Sequence, residues 1–402
     1  MKGLFVILLL SFAILGCNKF EVTEELPDIE NIDAANMDSG LDRINITVDP
    51  SDWVSMYYYY TENVEINGSV EYHDANGTLV FNKNATLRIK GASSRHHAMR
   101  SLGMIFNDPI DNQNLKIIAP NIALNGDNLN SISSLRLRNS GNDNGVTHFK
   151  DLAYARLAYE NGIDLETKYG KPVHVFVNKK YYGLLNLRTE NDRDGLSTLL
   201  NVNAEDITLL KMDWPNEDID FKEGDEALAQ QLIDAIANRD EHALEDLIDI
   251  PNFIDYILYQ DFIGNMDWPH NNVKLYSANG SKFRFLLYDL DWAANRNRTQ
   301  RLPKLEYLED DFSKIYQILR NHDNGFIDLL EQKQRALYDN LTIQKFNHIV
   351  DDLADELEPE IGYLIKKWGA PHSSFEWSLN VDQLKQDFQV NDFYNRKLYG
   401  FQ

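Results

Sequence analysis

Apolar and polar positions alternate with a period of two through most of the chain from Asp42 to about Asn186. INITVDP, SVEYHD, TLVFN, ATLRIKG, LGMIFN, LKIIAP and SLRLRNS are short β-rich runs separated by Asn, Gly, Asp and Pro. That texture predicts strands joined by tight turns. MYYYYTENVEI, rich in aromatics, reads as an edge strand with its rings over a neighbour. One helix interrupts: HFKDLAYARLAYENG sets Leu152, Ala155, Ala158 and Tyr159 at helical spacing before a Gly162 stop. PVHVFVNKKYYGLLNLRTE then predicts a hairpin that turns at Asn178-Lys179-Lys180.

Beyond Asn191 the period becomes helical. EALAQQLIDAIANRDEHALEDLID and PNFIDYILYQDFIGN are amphipathic, the second with Pro251 at its start. FIDLLEQKQRALYDNL and IQKFNHIVDDLADELEPEIGYLI continue the pattern, and DFYNRKLYGFQ reads as part of a last helix. There is no fixed-period repeat. The order predicts an α+β protein of two lobes: a β-rich N-terminal lobe over residues 41–190, a mainly helical C-terminal lobe over 191–402, and a cleft between them.

The first 17 residues stand apart. Lys2 precedes an uncharged run from Leu4 to Leu15, shorter than the roughly 20 residues that span a bilayer. The run ends in Ile14-Leu15-Gly16-Cys17, which resembles a bacterial lipobox, and Cys17 is the single cysteine of the chain. The expectation is an exported protein that touches the membrane only through lipid on Cys17. Residues 18–40 are acidic and without clear period, a tether between lipid and domain. A formal net charge of -24 argues against nucleic acid and against anionic lipid heads. A phosphate ligand would need a metal ion or a local set of Lys and Arg to offset that field.

Candidate chemistry concentrates in NMDWPHNNVKLYSANGSKFRFLLYDLDW (265–292). Asp289 and Asp291 sit two apart after an apolar strand, which would point both carboxylates to one face. Such a pair repels unless a cation lies between them or one is protonated. A hard cation such as Mg2+ takes oxygen ligands and shares them with a substrate phosphate, and Asn272 is a further oxygen donor. Asp267 precedes Asn272 by five positions, the D-x-x-x-x-N spacing of protein-kinase catalytic loops. Alone, each motif is a common turn or strand cap; in order, joined by an apolar strand, they point to function.

Other blocks follow one family's order. LRIKGASSRHHAMRSLGMIF resembles the R-G-x-S-S…K-K-S-Y segment of the CotH family, the spore-coat-protein-H-like kinases. LRLRNSGNDNGVTHFKDLAYARLAYENG and HVFVNKKYYGLLNLRTE are similar to its next two blocks, and the 265–292 stretch to its D-x-x-x-x-N…D-x-D core. The resemblance implies an atypical kinase-like fold using ATP and Mg2+ to phosphorylate Ser or Thr hydroxyls of a surface or secreted protein. It implies Asp267 as catalytic Asp, Asn272 and Asp289 as metal ligands, and Asp291 as a second carboxylate there. It further implies a phosphate turn of Lys90, Gly91, Ser93 and Ser94, and Glu190 as partner of a phosphate-binding cation. Met99-Arg100 replaces the family's usual Lys-Lys, so Arg100 is the expected phosphate contact there. Lys90 replaces an Arg, and Lys180 stands where the hairpin turn normally has Gly. Lys211, ending the apolar run ITLL, either faces the nucleotide or caps a strand beside Asp213.

Two other readings stay open. One is a non-catalytic surface lipoprotein that keeps the fold for adhesion or glycan binding, with Ca2+ in the acidic cluster. The other is a metal-dependent phosphate-ester hydrolase, for which no activating His is evident. His96 and His97 point opposite ways on an extended segment and make a poor metal pair.

Overall fold

A computed structural model describes residues 26–35, 37–118, 131–294, 302–322 and 325–401; Cys17 and the apolar leader lie outside them. The alternating runs form β1 (Arg43–Val48), β2 (Glu65–His73), β3 (Leu79–Lys90), β4 (Ser101–Asp111), β5 (Ser131–Arg138), β6 (Glu166–Thr167), β7 (Gly170–Val177) and β8 (Lys180–Thr189). All but β6 close into a barrel in the order β1-β2-β3-β4-β5-β8-β7. Neighbours are antiparallel except β1 and β7, whose parallel pairing shuts the ring. Val70, Tyr72, Leu87, Ile89, Leu102 and Met104 form part of the core, as the period of two requires.

The second half adds β9 (Ile207–Met212), β10 (Asp220–Glu223), β11 (Val273–Ala278) and β12 (Arg284–Leu287). With β6 they make a five-stranded sheet in the order β10-β9-β11-β12-β6. The helices are α1 (Pro50–Tyr58), α2 (Asn112–Ile118), α3 (Lys150–Glu160), α4 (Arg193–Leu200), α5 (Glu226–Ala237), α6 (Glu241–Leu247), α7 (Ile250–Phe262), α8 (Asp311–Asn321), α9 (Phe326–Asn340), α10 (Ile343–Leu357), α11 (Ile361–Trp368) and α12 (Ser374–Tyr399). Caps set many of their starts. Asp249 accepts from the Asn252 N–H ahead of α7, and Ser373 accepts from the Glu376 N–H ahead of α12.

Four expectations need correction. The first tyrosines of MYYYYTENVEI belong to α1, not to an edge strand. Asp49 caps that helix by accepting from Ser51 and Asp52 N–H groups, and Pro50 is its first residue. LKII opens no strand but ends α2, which Asp111 starts by accepting from the Asn114 N–H at 2.9 Å. The hairpin turns on Asn178 and Lys179, with φ of 50° and 63°, while Lys180 already pairs with Val177. Lys179 therefore occupies the left-handed place that Gly favours. Finally, the described part of the 18–40 tether docks on the domain. Ala34 and Met37 are buried against Phe176 and Tyr181, and Gly40 N–H donates to Glu360 Oε1 at 3.0 Å. Its scattered apolar residues, not its acidic ones, decide that contact.

Beneath the second sheet, aromatic rings surround Phe312 of α8. Phe253 and Tyr256 of α7, Phe285 of β12 and Trp268 all pack on it, with ring centroids 5.5–5.8 Å away. Trp268 is fully buried. It follows Asp267 directly, so this cluster fixes the loop that carries the candidate chemistry.

Candidate active site

The ends of β3, β5, β8, β9 and β12, with the loop before β11, open on one cleft of about 730 Å3. Lys90, Gly91, Ser93, Ser94, Glu190, Lys211, Asp267, Asn272, Asp289 and Asp291 all line it. Arg100 does not. Its guanidinium lies over the Tyr57 and Tyr60 rings, 4.0 and 4.2 Å from their centroids, and its Nε donates to Arg95 O. Because α1 and the turn after it place those tyrosines beside it, Arg100 pins the turn from below, and Arg95 lines the cleft instead.

The turn after β3 is built for close approach. Gly91 has φ +118°, and a Cβ there would collide with Ser94 Oγ. Asn139 Nδ2 donates to Ser94 O at 3.2 Å and to Met99 O at 2.7 Å, which holds the turn to the barrel. His96 Nδ1 shares a hydrogen bond with Tyr60 OH at 2.9 Å.

On the wall beside it, Glu190 meets two lysines. Lys168 Nζ donates to Oε2 at 2.9 Å and Lys90 Nζ lies 3.7 Å from Oε1. Burial raises the Glu190 carboxyl, but Lys168, Arg136 and Lys90 outweigh it and hold the group far below the ordinary carboxylate range. Burial pushes the Lys168 ammonium down, against the pull of Glu190. Arg136 lines the same wall, and among the described residues its Nε has no acceptor. Lys274 donates to Asn191 O at 2.9 Å and lies 5.3 Å from the Tyr288 ring centroid. Burial, then Lys168 and Lys211, push it down to about 8. Lys211 fits both of its readings: it lines the cleft and pairs with Asp213.

Asp267 accepts from Asn271 Nδ2 at 2.9 Å and from Asn272 Nδ2 at 2.7 Å, both at Oδ2. Among the described residues Oδ1 has no such donor. Met266 N–H donates to Trp292 O at 3.2 Å, tying this loop to the one after β12.

The two strand-end carboxylates arrive by another route than alternation. β12 stops at Leu287 and Asp289 has φ +60°, so the chain has already turned. They converge because Arg138 Nη2 donates to Asp289 Oδ1 at 2.5 Å and to Asp291 Oδ2 at 2.7 Å. The cation between them is a guanidinium. Asp291 also accepts from Asn142 N at 3.0 Å and Nδ2 at 3.1 Å, and its side chain is 4% exposed. Burial, with Asp289 and Asp151 adding to it against Arg138, pushes Asp291 up to about 7. Asp289 keeps 33% of its side chain exposed. Asp289 thus keeps an exposed face beside its Arg138 contact, whereas Asp291 is buried against Arg138 and Asn142.

Asp151, at the start of α3, is the hub that pattern alone missed. It accepts from Arg188 Nη1 at 2.6 Å and from Leu290 N–H at 2.8 Å, and faces Arg138 Nε at 3.7 Å. The only signal for Arg136 and Arg138 was their spacing of two in SLRLR, which puts both on one face of β5. Lys168 and Lys274 left no signal.

The solved structures that the chain resembles include two loose likenesses. One is a chain of the Shewanella oneidensis MR-1 HipA–HipB toxin–antitoxin complex with operator DNA: 12% identity, TM-score 0.29, 68% of this chain and 59% of that one. The other is the Helicobacter pylori proinflammatory kinase CtkA: 11% identity, TM-score 0.29, 82% of this chain and 91% of that one. No curated protein matches the sequence significantly. The CotH kinase protein family model matches residues 87–390, a span that includes the Gly91 turn, the Asp151 hub, the Asp267 loop and both strand-end carboxylates. The chain belongs to the CotH kinase protein family.

Proposed function

We propose that the protein transfers the γ-phosphoryl group of ATP, with Mg2+, to Ser or Thr hydroxyls of a surface or secreted protein. We further propose that it is exported and held by lipid on Cys17. No described helix is long and apolar enough to cross a membrane. The observation that carries the kinase reading is the cleft itself: Asp267 braced by Asn272, the exposed face of Asp289, and the Lys90–Glu190 pair line one cavity.

The residues fit both absent groups. Asn272 and Asp289 offer the oxygen donors that a hard cation takes. Arg136 with its orphaned Nε, Lys90, Lys168 and the Gly91 turn suit a polyphosphate. Bound Mg2+ would supply neutralisation of charge on the transferring group. Asp267, its Oδ2 held by two amides, would orient the acceptor hydroxyl and take its proton at Oδ1. Glu190 would keep Lys90 and Lys168 extended toward the phosphates.

A second reading, a non-catalytic surface protein, draws on one observation: Arg138 already satisfies Asp289 and Asp291 without a metal. Calorimetry of ATP binding with and without Mg2+ separates the two. The kinase reading expects Mg2+-dependent binding that Asp289→Ala abolishes. It also expects phosphate incorporation that Asp267→Asn removes while ATP still binds. Absence of binding at millimolar ATP would leave the scaffold.

A further inference from the structure

Away from the cleft, the start of α6 meets the end of α8. Glu241, His242 and Glu245 lie on α6, and His322 is the residue that caps α8. None of the four lines the cleft. We propose that Glu241, His242 and His322 bind a zinc ion, with Glu245 as the partner that orients the imidazoles.

Three observations carry this. First, Glu241, His242 and His322 can each offer a ligand atom such that all lie within 4.8 Å of one another. His322 Nδ1 is 3.2 Å from Glu241 Oε1. Four-coordinate zinc with bonds of roughly 2.0–2.1 Å sets its donors about 3.3 Å apart, so small side-chain rotations close the shell. Second, Glu245 lies behind the rings. Its Oε1 is 3.7 Å from His322 Nε2 and its Oε2 is 3.8 Å from His242 Nδ1. Metal-bound imidazoles commonly donate their second nitrogen to a carboxylate; a small approach of Glu245 from these distances would make both bonds and leave the other nitrogen of each ring for the ion. Third, the ring centroids are 5.2 Å apart with planes crossed at 88°, so the two imidazoles meet edge to face without stacking flat.

The donor set chooses the metal. Two imidazoles and one carboxylate suit Zn2+, whereas Mg2+ and Ca2+ demand oxygen ligands. With three protein ligands a fourth position remains for water. The ion would clip α6 to the last turn of α8, the helix whose Phe312 supports Trp268 beside Asp267.

The test uses the full chain, stripped with chelator and titrated with Zn2+ by calorimetry in millimolar Mg2+. One saturable equivalent is expected, with a rise in Tm. Co2+ in its place should give the visible absorption of a low-symmetry nitrogen–oxygen site. His242→Ala, at a side chain 76% exposed and so harmless to folding, should abolish both signals. Glu245→Gln should weaken binding on the order of 10- to 100-fold. Absence of saturable uptake at micromolar Zn2+ overturns the proposal. So does uptake unchanged in His242→Ala, or uptake lost in Asp289→Ala instead, which would put the ion in the cleft.

Discussion

Replacing Glu190 with Gln keeps shape and removes one charge from a buried wall of the cleft. In the parent, Glu190 has a side chain 8% exposed and faces Lys168 at 2.9 Å and Lys90 at 3.7 Å. Losing one partner of a buried pair costs about 3–5 kcal/mol, because the other charge stays behind without solvent. Lys168 can escape part of this by releasing its proton, and burial already pushes its ammonium down. The expected loss is therefore about 3 kcal/mol, at the lower end of that range. The pH dependence follows from the direction of the shift. Glu190 is held below its ordinary 4.5, so its contribution is complete above that value and fades as acid protonates the folded carboxylate. Urea unfolding of parent and variant should show a constant gap from about pH 7 to 5.5 and a narrowing gap below about pH 4.5. A gap under about 1 kcal/mol at neutrality, or one that widens in acid, would refute the account of this pair.

Gly141→Ala should destabilise by at least about 1–2 kcal/mol, since Gly141 has φ +61° and a Cβ would press on the Asp291 carboxylate and the Arg138 guanidinium; a melt with unchanged Tm would contradict that packing. Arg100→Ala should cost about 0.5–2 kcal/mol from its two ring contacts yet leave ATP affinity unchanged in calorimetry. A tenfold loss of affinity would return Arg100 to the cleft. Trp268→Ala should lose about 3–5 kcal/mol in chemical unfolding, with Trp268→Phe retaining most of the stability because Phe still fills the space against Phe312; equal losses in the two would show that volume is not what matters there.

Local rules carried much of the architecture. Apart from LKII, the period-two runs are barrel strands, and the helical runs after Asn191 are helices. Local rules failed where a cap outweighed a composition. Four consecutive tyrosines look like strand, but Asp49-Pro50 had already started a helix. At the site, residues tied by spacing within one segment were legible: Asp267 and Asn272, singled out by their D-x-x-x-x-N spacing, line one cleft and are hydrogen-bonded to each other. Residues whose role depends on separate segments meeting were not. Arg138, Asp151 and Asp291 stand far apart in sequence and become one network only when β5, α3 and the loop after β12 come together. Arg100 shows the converse error, a residue of suitable chemistry turned away by two rings no spacing rule placed beside it.

The electrostatics of the cleft were foreseeable in kind but not in detail. A chain of net charge -24 cannot draw a polyphosphate into a cavity that shares its average. The cavity does not share it. Lys90, Arg95, Arg136, Arg138, Lys168, Lys211 and Lys274 line it with an equal number of carboxylates: Asp151, Glu190, Asp192, Asp213, Asp267, Asp289 and Asp291. The two signs are also sorted. Glu190 and Asp151 are buried under the cations they hold, while Asp289 keeps a third of its side chain exposed and Asp267 takes donors on only one of its oxygens among the described residues. Carboxylates sunk beneath guanidinium and ammonium groups set positions without adding surface potential. Those left open are the ones whose charge a metal or a hydroxyl proton can meet, so a strongly acidic protein can present cations to an anion and carboxylates to a cation within one cleft.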